Sequence, residues 1–340
     1  MVTLPPEPNR REPWPANRRN RAEPTANVPL VSETGGPIAD GVGPTQESIE
    51  VPVARRRRGR LRLIATRFAR NRTALGGLTV FVLLVLFALF GGLLTSYSYS
   101  DVDFAALGVP PSPEHWFGTN DAGNDLYAQV VHGLQRSLVI AVTVSLGTIV
   151  IAAFVGAGAA YFGGRVQAVV LGLLYLLLVV PTFLILALIS SRTGGDWRWL
   201  IVVLTLTGWM MLARVIHSMA QSIRENDYVR AARYLGEPPL VIIARHIVPN
   251  LASLLVINFA LGVVATVLAE TALSFLGFGV QVPDVTLGSL LQEGTGTLTS
   301  SPWLFYFPAG TLVLLTVSMA LIADGLRDAL DPTSSAGAHA

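Results

Sequence analysis

Apolar and polar residues separate into long blocks along this chain instead of alternating at short range. Residues 1–53 are rich in Pro, Arg, Glu, Asn and Gly and show no sustained apolar periodicity. Such a segment cannot bury enough surface to offset its ordering entropy, so a disordered cytoplasmic tail is expected. Residues 54–73 form a basic juxtamembrane segment in which Arg55, Arg56, Arg57, Arg58, Arg60, Arg62, Arg67, Arg70 and Arg72 are interleaved with Leu61, Leu63, Ile64 and Phe68. Six apolar stretches follow, at 74–96, 139–161, 169–190, 199–219, 251–273 and 305–323. Each is near the roughly 20 residues that cross about 30 Å of hydrocarbon as a helix. The pattern predicts an all-α membrane protein with six transmembrane helices over 74–332, and a disordered C-terminal tail at 333–340. Pro181 inside the third stretch predicts a kink. Gly156, Gly158 and Ala160 in the second place small side chains where helices can approach closely.

Charge orients these spans. Arg165 lies between the second and third, Arg224, Arg230, Arg233 and Arg245 between the fourth and fifth, and Arg327 after the sixth. The opposite loops carry Asp101, Asp103, Glu114, Asp121 and Asp125, then Arg192, Asp196 and Arg198, then Asp284 and Glu293 without Arg. The positive-inside rule therefore predicts that both termini are cytoplasmic. The Arg cluster before the first span has the composition of a nucleic-acid patch. Its position against an apolar span favours a segment lying on anionic lipid, with no nucleic acid as partner. No apolar core of signal-peptide type stands near the start, so cleavage is not expected.

Composition narrows the chemistry. Hydrophobic residues make up 51% of the chain and charged ones only 14%, against about 25% charged in soluble domains. All 24 basic residues are Arg. Without Lys, the chain cannot build a P-loop that reaches the β- and γ-phosphates of ATP. Zero Cys excludes disulfides, iron–sulfur clusters, thiol nucleophiles and Cys-ligated zinc. The histidines at 115, 132, 217, 246 and 339 include no pair at the spacing that places two imidazoles on one helix face for zinc. Ser137, Ser274 and His217 show no pairing that would activate a nucleophile. No catalytic residue, metal site or cofactor is expected in this chain.

The most informative polar segment is 221–249, QSIRENDYVRAARYLGEPPLVIIARHIVP. Asp227 is expected to cap a short helix over 228–235 that carries Ala231 and Ala232, with Gly236 in the left-handed turn that ends it. Pro238 and Pro239 stop continuation, and a second apolar helix is expected from about Leu240 to just before Pro249. A projecting helix with small residues on one face lets another protein's groove approach; an ordinary helical hairpin between two spans has the same pattern. Glu270, near the outer end of the fifth span, is either a pathway residue or a structural acceptor for backbone amides in the turn at 274–279.

Ala231 and Ala232, then Gly236, then His246, Val248 and Pro249, resemble in spacing the EAA loop of bacterial ABC importer permeases, with Arg230 where that loop usually has Glu. HWFGTN at 115–120, GNDL at 123–126, HGLQRSL at 132–138, YFGGR at 161–165, ETALSFLGFG at 270–279 and DGLRDALDP at 324–332 look like segments of the C-type permease of dipeptide, oligopeptide and nickel importers. That family normally carries an acid at Asn120 and an Arg at Asn124. The resemblance implies a type I ABC importer permease fold in the bacterial inner membrane. It also implies three kinds of partner: a second homologous permease, ABC ATPase subunits that bind ATP and Mg, and an extracytoplasmic substrate-binding protein. Tyr228, Ala231, Ala232, Gly236, His246 and Pro249 would then couple to the ATPase, and Glu270, Ser274 and Pro181 would serve the pathway or the fold. Short peptides are the first substrate class implied, nickel chelates or another small solute the second. A stand-alone ion-coupled carrier would need mid-span acids, which are almost absent.

Overall fold

The computed structural model describes residues 54–330, with side chains described from Arg62 onward. The tails expected at 1–53 and 333–340 lie outside the described residues. The described residues form helices and no strand, only two isolated β-bridges. The chain begins with α1 (Ala54–Arg70) and α2 (Arg72–Phe90), and a 3₁₀ turn closes α2. Asn71 separates the two. Its Oδ1 accepts from the Thr73 and Ala74 amides, both at 3.1 Å, which caps α2. Its Nδ2 donates to Asp328 at 3.1 Å and ties that cap to the far end of the chain.

Next come α3 (Leu126–Phe162), α4 (Gly164–Val179), α5 (Thr182–Thr193) and α6 (Trp197–Arg224). Among the described residues, five helical segments are long and apolar enough to cross a membrane, and the pair α4 and α5, bent by 68° at Pro181, makes a sixth span if counted as one. Pro181 thus breaks the third span outright, because its ring removes an amide donor and fixes the local backbone. The second span starts 13 residues before the apolar stretch does. Gln129, His132, Gln135 and Arg136 hid this part of the helix from a reading based on hydropathy. The last three find protein partners: Gln135 donates to the Ala88 carbonyl, and His132 and Arg136 both bind Asp284.

The remaining elements are α7 (Asp227–Tyr234), α8 (Pro239–Ile242), α9 (Ala252–Phe275), α10 (Leu287–Gly296) and α11 (Trp303–Leu330). The second helix of the 221–249 loop does not stop before Pro249. A π turn at Ile243–Ile247 and a 3₁₀ turn at Val248–Leu251 carry the backbone past the proline, so that Pro239–Phe275 forms one continuous span. The change of helical register lets the chain do without the missing amide.

The central element is α3, which packs on α6, α9, α2, α10 and α4; α11 packs on α2, α9 and α10. Close approach depends on small residues. A Cβ at Gly156 would lie 2.5 Å from the Ala213 carbonyl on α6, and one at Gly77 would lie 2.7 Å from Leu321 Cβ on α11. Gly158 meets nothing within 4 Å, so of the small residues expected at helix contacts Gly156 is placed there and Gly158 is not. Gly156→Leu should force α3 and α6 apart, lowering stability by about 1–3 kcal/mol and the unfolding temperature in detergent with it. Gly158→Leu should leave that temperature unchanged.

Candidate functional site

At the end of the bundle where α3 and α6 finish, α7 is anchored on its inner side. Val229 and Ala232 are buried in an apolar cluster that also holds Ile216 and Ala220 of α6 and Ile242, Ile243 and Ile247 of the following turns. The last turn of α3 has carbonyls without intrahelical partners. Arg224 Nη1 donates to the Ala160 carbonyl at 2.8 Å, and Arg233 Nη2 donates to the Tyr161 carbonyl at 3.3 Å. The Arg233 guanidinium also lies 4.6 Å from the Tyr161 ring centroid. Both cations therefore sit where the helix dipole favours positive charge, and α7 is locked to α3 through its own side chain. The hydrogen bond from Arg224 and its positive charge hold the exposed Glu225 carboxyl below the usual range.

The outer side of this unit is open. Tyr228, Ala231, Tyr234, Leu235 and Leu240 are exposed, Tyr234 at 81% and Leu235 at 83%. The two alanines therefore do not share one free face: Ala231 faces out and Ala232 packs inward. Asp227 is not the cap either. Asn226 occupies that position; its side chain accepts no backbone amide of the helix, and its Nδ2 donates to the Tyr228 hydroxyl at 3.2 Å, while Asp227 lies in the first turn, where its charge suits the dipole. Gly236 ends α7 at φ +78° with nothing within 4 Å of a Cβ, as the left-handed turn requires. His246 Nε2 and Glu237 Oε2 are 3.1 Å apart, the Tyr228 ring lies 6.4 Å from that imidazole, and Pro249 is exposed in the 3₁₀ turn.

Glu270 and Ser274 lie at the opposite end, and Pro181 belongs to neither group. Glu270 is 1% exposed. Its Oε1 accepts from Thr286 Oγ1 at 2.6 Å and from Ser274 Oγ at 2.9 Å. Oε2 faces the start of α10, where a Cβ at Gly288 would lie 2.7 Å from it. The carboxylate thus sits against a helix N-terminus, where anions are favoured, and fastens α9 to α10. It is an acceptor, yet for α10 and the Ser274 hydroxyl rather than for amides of the turn at 274–279.

Around it the loop 94–125 is held by buried polar pairs. His115 Nδ1 lies 2.8 Å from Asp125 Oδ2, while Asp125 Oδ1 accepts the Ala128 amide at 2.8 Å and caps α3. Asn120 donates to Glu293 of α10 at 3.0 Å and to Asn124 at 3.3 Å. Asp284 binds His132 at 2.6 Å and Arg136 at 2.8 Å, with Tyr99 stacked on His132 at 3.7 Å.

Residues 148–335 match the family described as "Binding-protein-dependent transport system inner membrane component". The chain belongs to this family. Residues 59–111 of the permease match the N-terminal transmembrane domain of oligopeptide transport permease C. The permease is similar to the oligopeptide transport system permease protein OppC of Mycobacterium tuberculosis, 48% identical over 274 residues that cover 80% of this chain and 94% of the relative. It is also similar to OppC of Escherichia coli, 36% identical over 78% of this chain and 89% of the relative. The dipeptide transport system permease protein DppC of Bacillus subtilis is 32% identical over 78% of this chain and 83% of that protein. The permease is a transport subunit of the inner membrane, not an enzyme.

Several residues of this site escaped the sequence reading: Thr286 and Gly288 beside Glu270, Asp284 beside His132, and Glu293 beside Asn120. Each partnership spans a turn or a distant helix and leaves no spacing pattern. Glu270→Ala should strand the Thr286 and Ser274 hydroxyls and cost about 1–3 kcal/mol in thermal unfolding, with Glu270→Gln losing less because one acceptor oxygen remains. Burial, assisted by Asp121, pushes the Glu293 carboxyl above its usual range, although the bond from Asn120 opposes the shift. The folded state therefore binds this proton more tightly than the unfolded chain. The group's contribution is full below the ordinary carboxylate range and is lost as pH rises through the raised value. Glu293→Gln should then match the parent in acid and exceed its unfolding temperature at neutral pH.

Proposed function

We propose that this permease carries short peptides into the cell as one half of a two-permease pathway, driven by ATP hydrolysis in separate ABC subunits that hold ATP and Mg. An extracytoplasmic binding protein delivers the substrate, and the chain itself binds no cofactor. Both termini are cytoplasmic, so the end of the bundle that carries α7, α1 and the last turn of α11 faces the ATPases. The arginines at that end and the acidic residues of the opposite loops support this orientation. The permease domain covers 74–332, the coupling loop 221–249, and the basic segment 54–73 lies on anionic lipid.

The observation that carries this reading is the two-sided construction of α7. Its inner side is fastened to α3 and α6 by Arg233, Val229 and Ala232, and its outer side presents exposed Tyr228, Ala231, Tyr234 and Leu235. Such a helix acts as a lever: an ATPase groove closing on the outer side moves the spans joined to the inner one. Gly236, His246 and Pro249 shape this lever, since they set the turn and the path back into α9. Peptide as the substrate rests on the relatives named for oligopeptide and dipeptide transport.

In vesicles holding the complete importer, Gly236→Glu should abolish uptake of a labelled tripeptide while the protein still reaches the membrane, because a side chain is strained at this φ. Tyr234→Asp with Leu235→Asp should also lose ATPase co-purification. Unchanged uptake with normal ATPase co-purification would reject the coupling role. Failure of the parent importer to take up any short peptide would reject the substrate class.

A further inference from the structure

Midway along the bundle α3, α5, α6 and α9 enclose an open cavity of about 540 Å³, within the range of small-ligand sites. No Arg, Asp, Glu or His lines it. Its polar groups are neutral: Ser145 and Thr148 from α3, Thr182 from α5, Thr207 from α6, and Asn258 and Thr266 from α9. Ser145, Thr207 and Asn258 each donate to a backbone carbonyl and keep acceptor capacity. The hydroxyls of Thr148, Thr182 and Thr266 form no hydrogen bond among the described residues.

The helix break stands beside this cavity. At Pro181 the last turn of α4 ends, and carbonyls there lose their intrahelical partners. Val179, Val180 and Pro181 are exposed. Non-helical backbone at membrane depth is tolerated only where it is covered by protein or lines a water-filled space. An exposed break and unpaired neutral hydroxyls on the same face thus point the same way: this face turns from lipid to an aqueous path.

We propose that this cavity holds the main chain of the peptide in transit, a conclusion that rests on the peptide reading above. Each residue of a peptide carries one amide donor and one carbonyl acceptor whatever its side chain, and a hydroxyl both donates and accepts. A lining with hydroxyls and one amide but no fixed charge grips that repeating pattern. It holds no fixed charge to favour one sign of ionised side chain over the other, so passage through this subunit does not distinguish the sign of side-chain charge.

The chain has no cysteine, so single cysteines report directly in an importer whose other subunits are also made cysteine-free. Thr182→Cys and Thr207→Cys should react with a charged, membrane-impermeant methanethiosulfonate, and Leu83→Cys on the exposed side of α2 should not. Excess transported peptide should slow both reactions several-fold, equally for Lys-rich and Glu-rich peptides of one length. Unreactive Thr182→Cys and Thr207→Cys in a transporting complex would overturn the proposal. Peptide uptake without protection would overturn it too, as would protection that depends strongly on the sign of the peptide's charge. Absence of peptide uptake by the parent complex would instead reject the substrate class itself, which keeps the two failures apart.

Discussion

Inside hydrocarbon a backbone amide or carbonyl has no water to turn to, and the places where this permease lets a helix end follow from that constraint. The end of α3 is closed by Arg224 and Arg233, which donate to the Ala160 and Tyr161 carbonyls. The start of α10 receives the Glu270 carboxylate and its own Thr286 cap. Pro249, which would otherwise stop a helix, is passed by a π turn followed by a 3₁₀ turn, so that the span runs on without an exposed end. The break at Pro181 is the exception. There the ends remain open next to Thr182, which lines the cavity with the other neutral polar groups.

These closures connect the two ends of the molecule. The span Pro239–Phe275 begins in the 221–249 loop and reaches Glu270, where the carboxylate fastens it to α10. On the other side, α3 runs from the Asp125 cap, beside His115, to the carbonyls held by α6 and α7. Gly156 seats α3 against α6 with too little space for a side chain. Elements joined this tightly shift as bodies rather than deform residue by residue. In the proposed cycle, a displacement of α7 would therefore arrive at the loop 94–125 and at α10 largely undiminished.

The hydrophobic blocks revealed the spans because hydropathy over about 20 residues is a local quantity. They misplaced the start of α3, where Gln129, His132, Gln135 and Arg136 read as loop yet stand on a helix whose neighbours bond the last three. In the 221–249 segment, Gly236 was legible because a left-handed turn has few alternatives to glycine. The Ala231 and Ala232 pair was not, because adjacent residues on a helix point about 100° apart and only packing shows which one is covered. Asp227 was mistaken for the cap because it and Asn226 are both good capping residues, and their spacing cannot choose between them.

By itself, the sequence determined that this is a helical membrane chain with Arg gathered mostly in the loops of one side, that it lacks the Lys of a P-loop for ATP, and that its segments resemble an importer permease. These conclusions rest on composition and on neighbours within one turn or one span. Only the tertiary structure decided what Glu270 holds, that Arg224 and Arg233 close α3, and that the third span is broken rather than merely kinked. It alone gathered Thr148, Thr182, Thr207 and Asn258 around one cavity. Those residues come from four helices separated by loops of variable path, and nothing local in the chain records that their side chains meet.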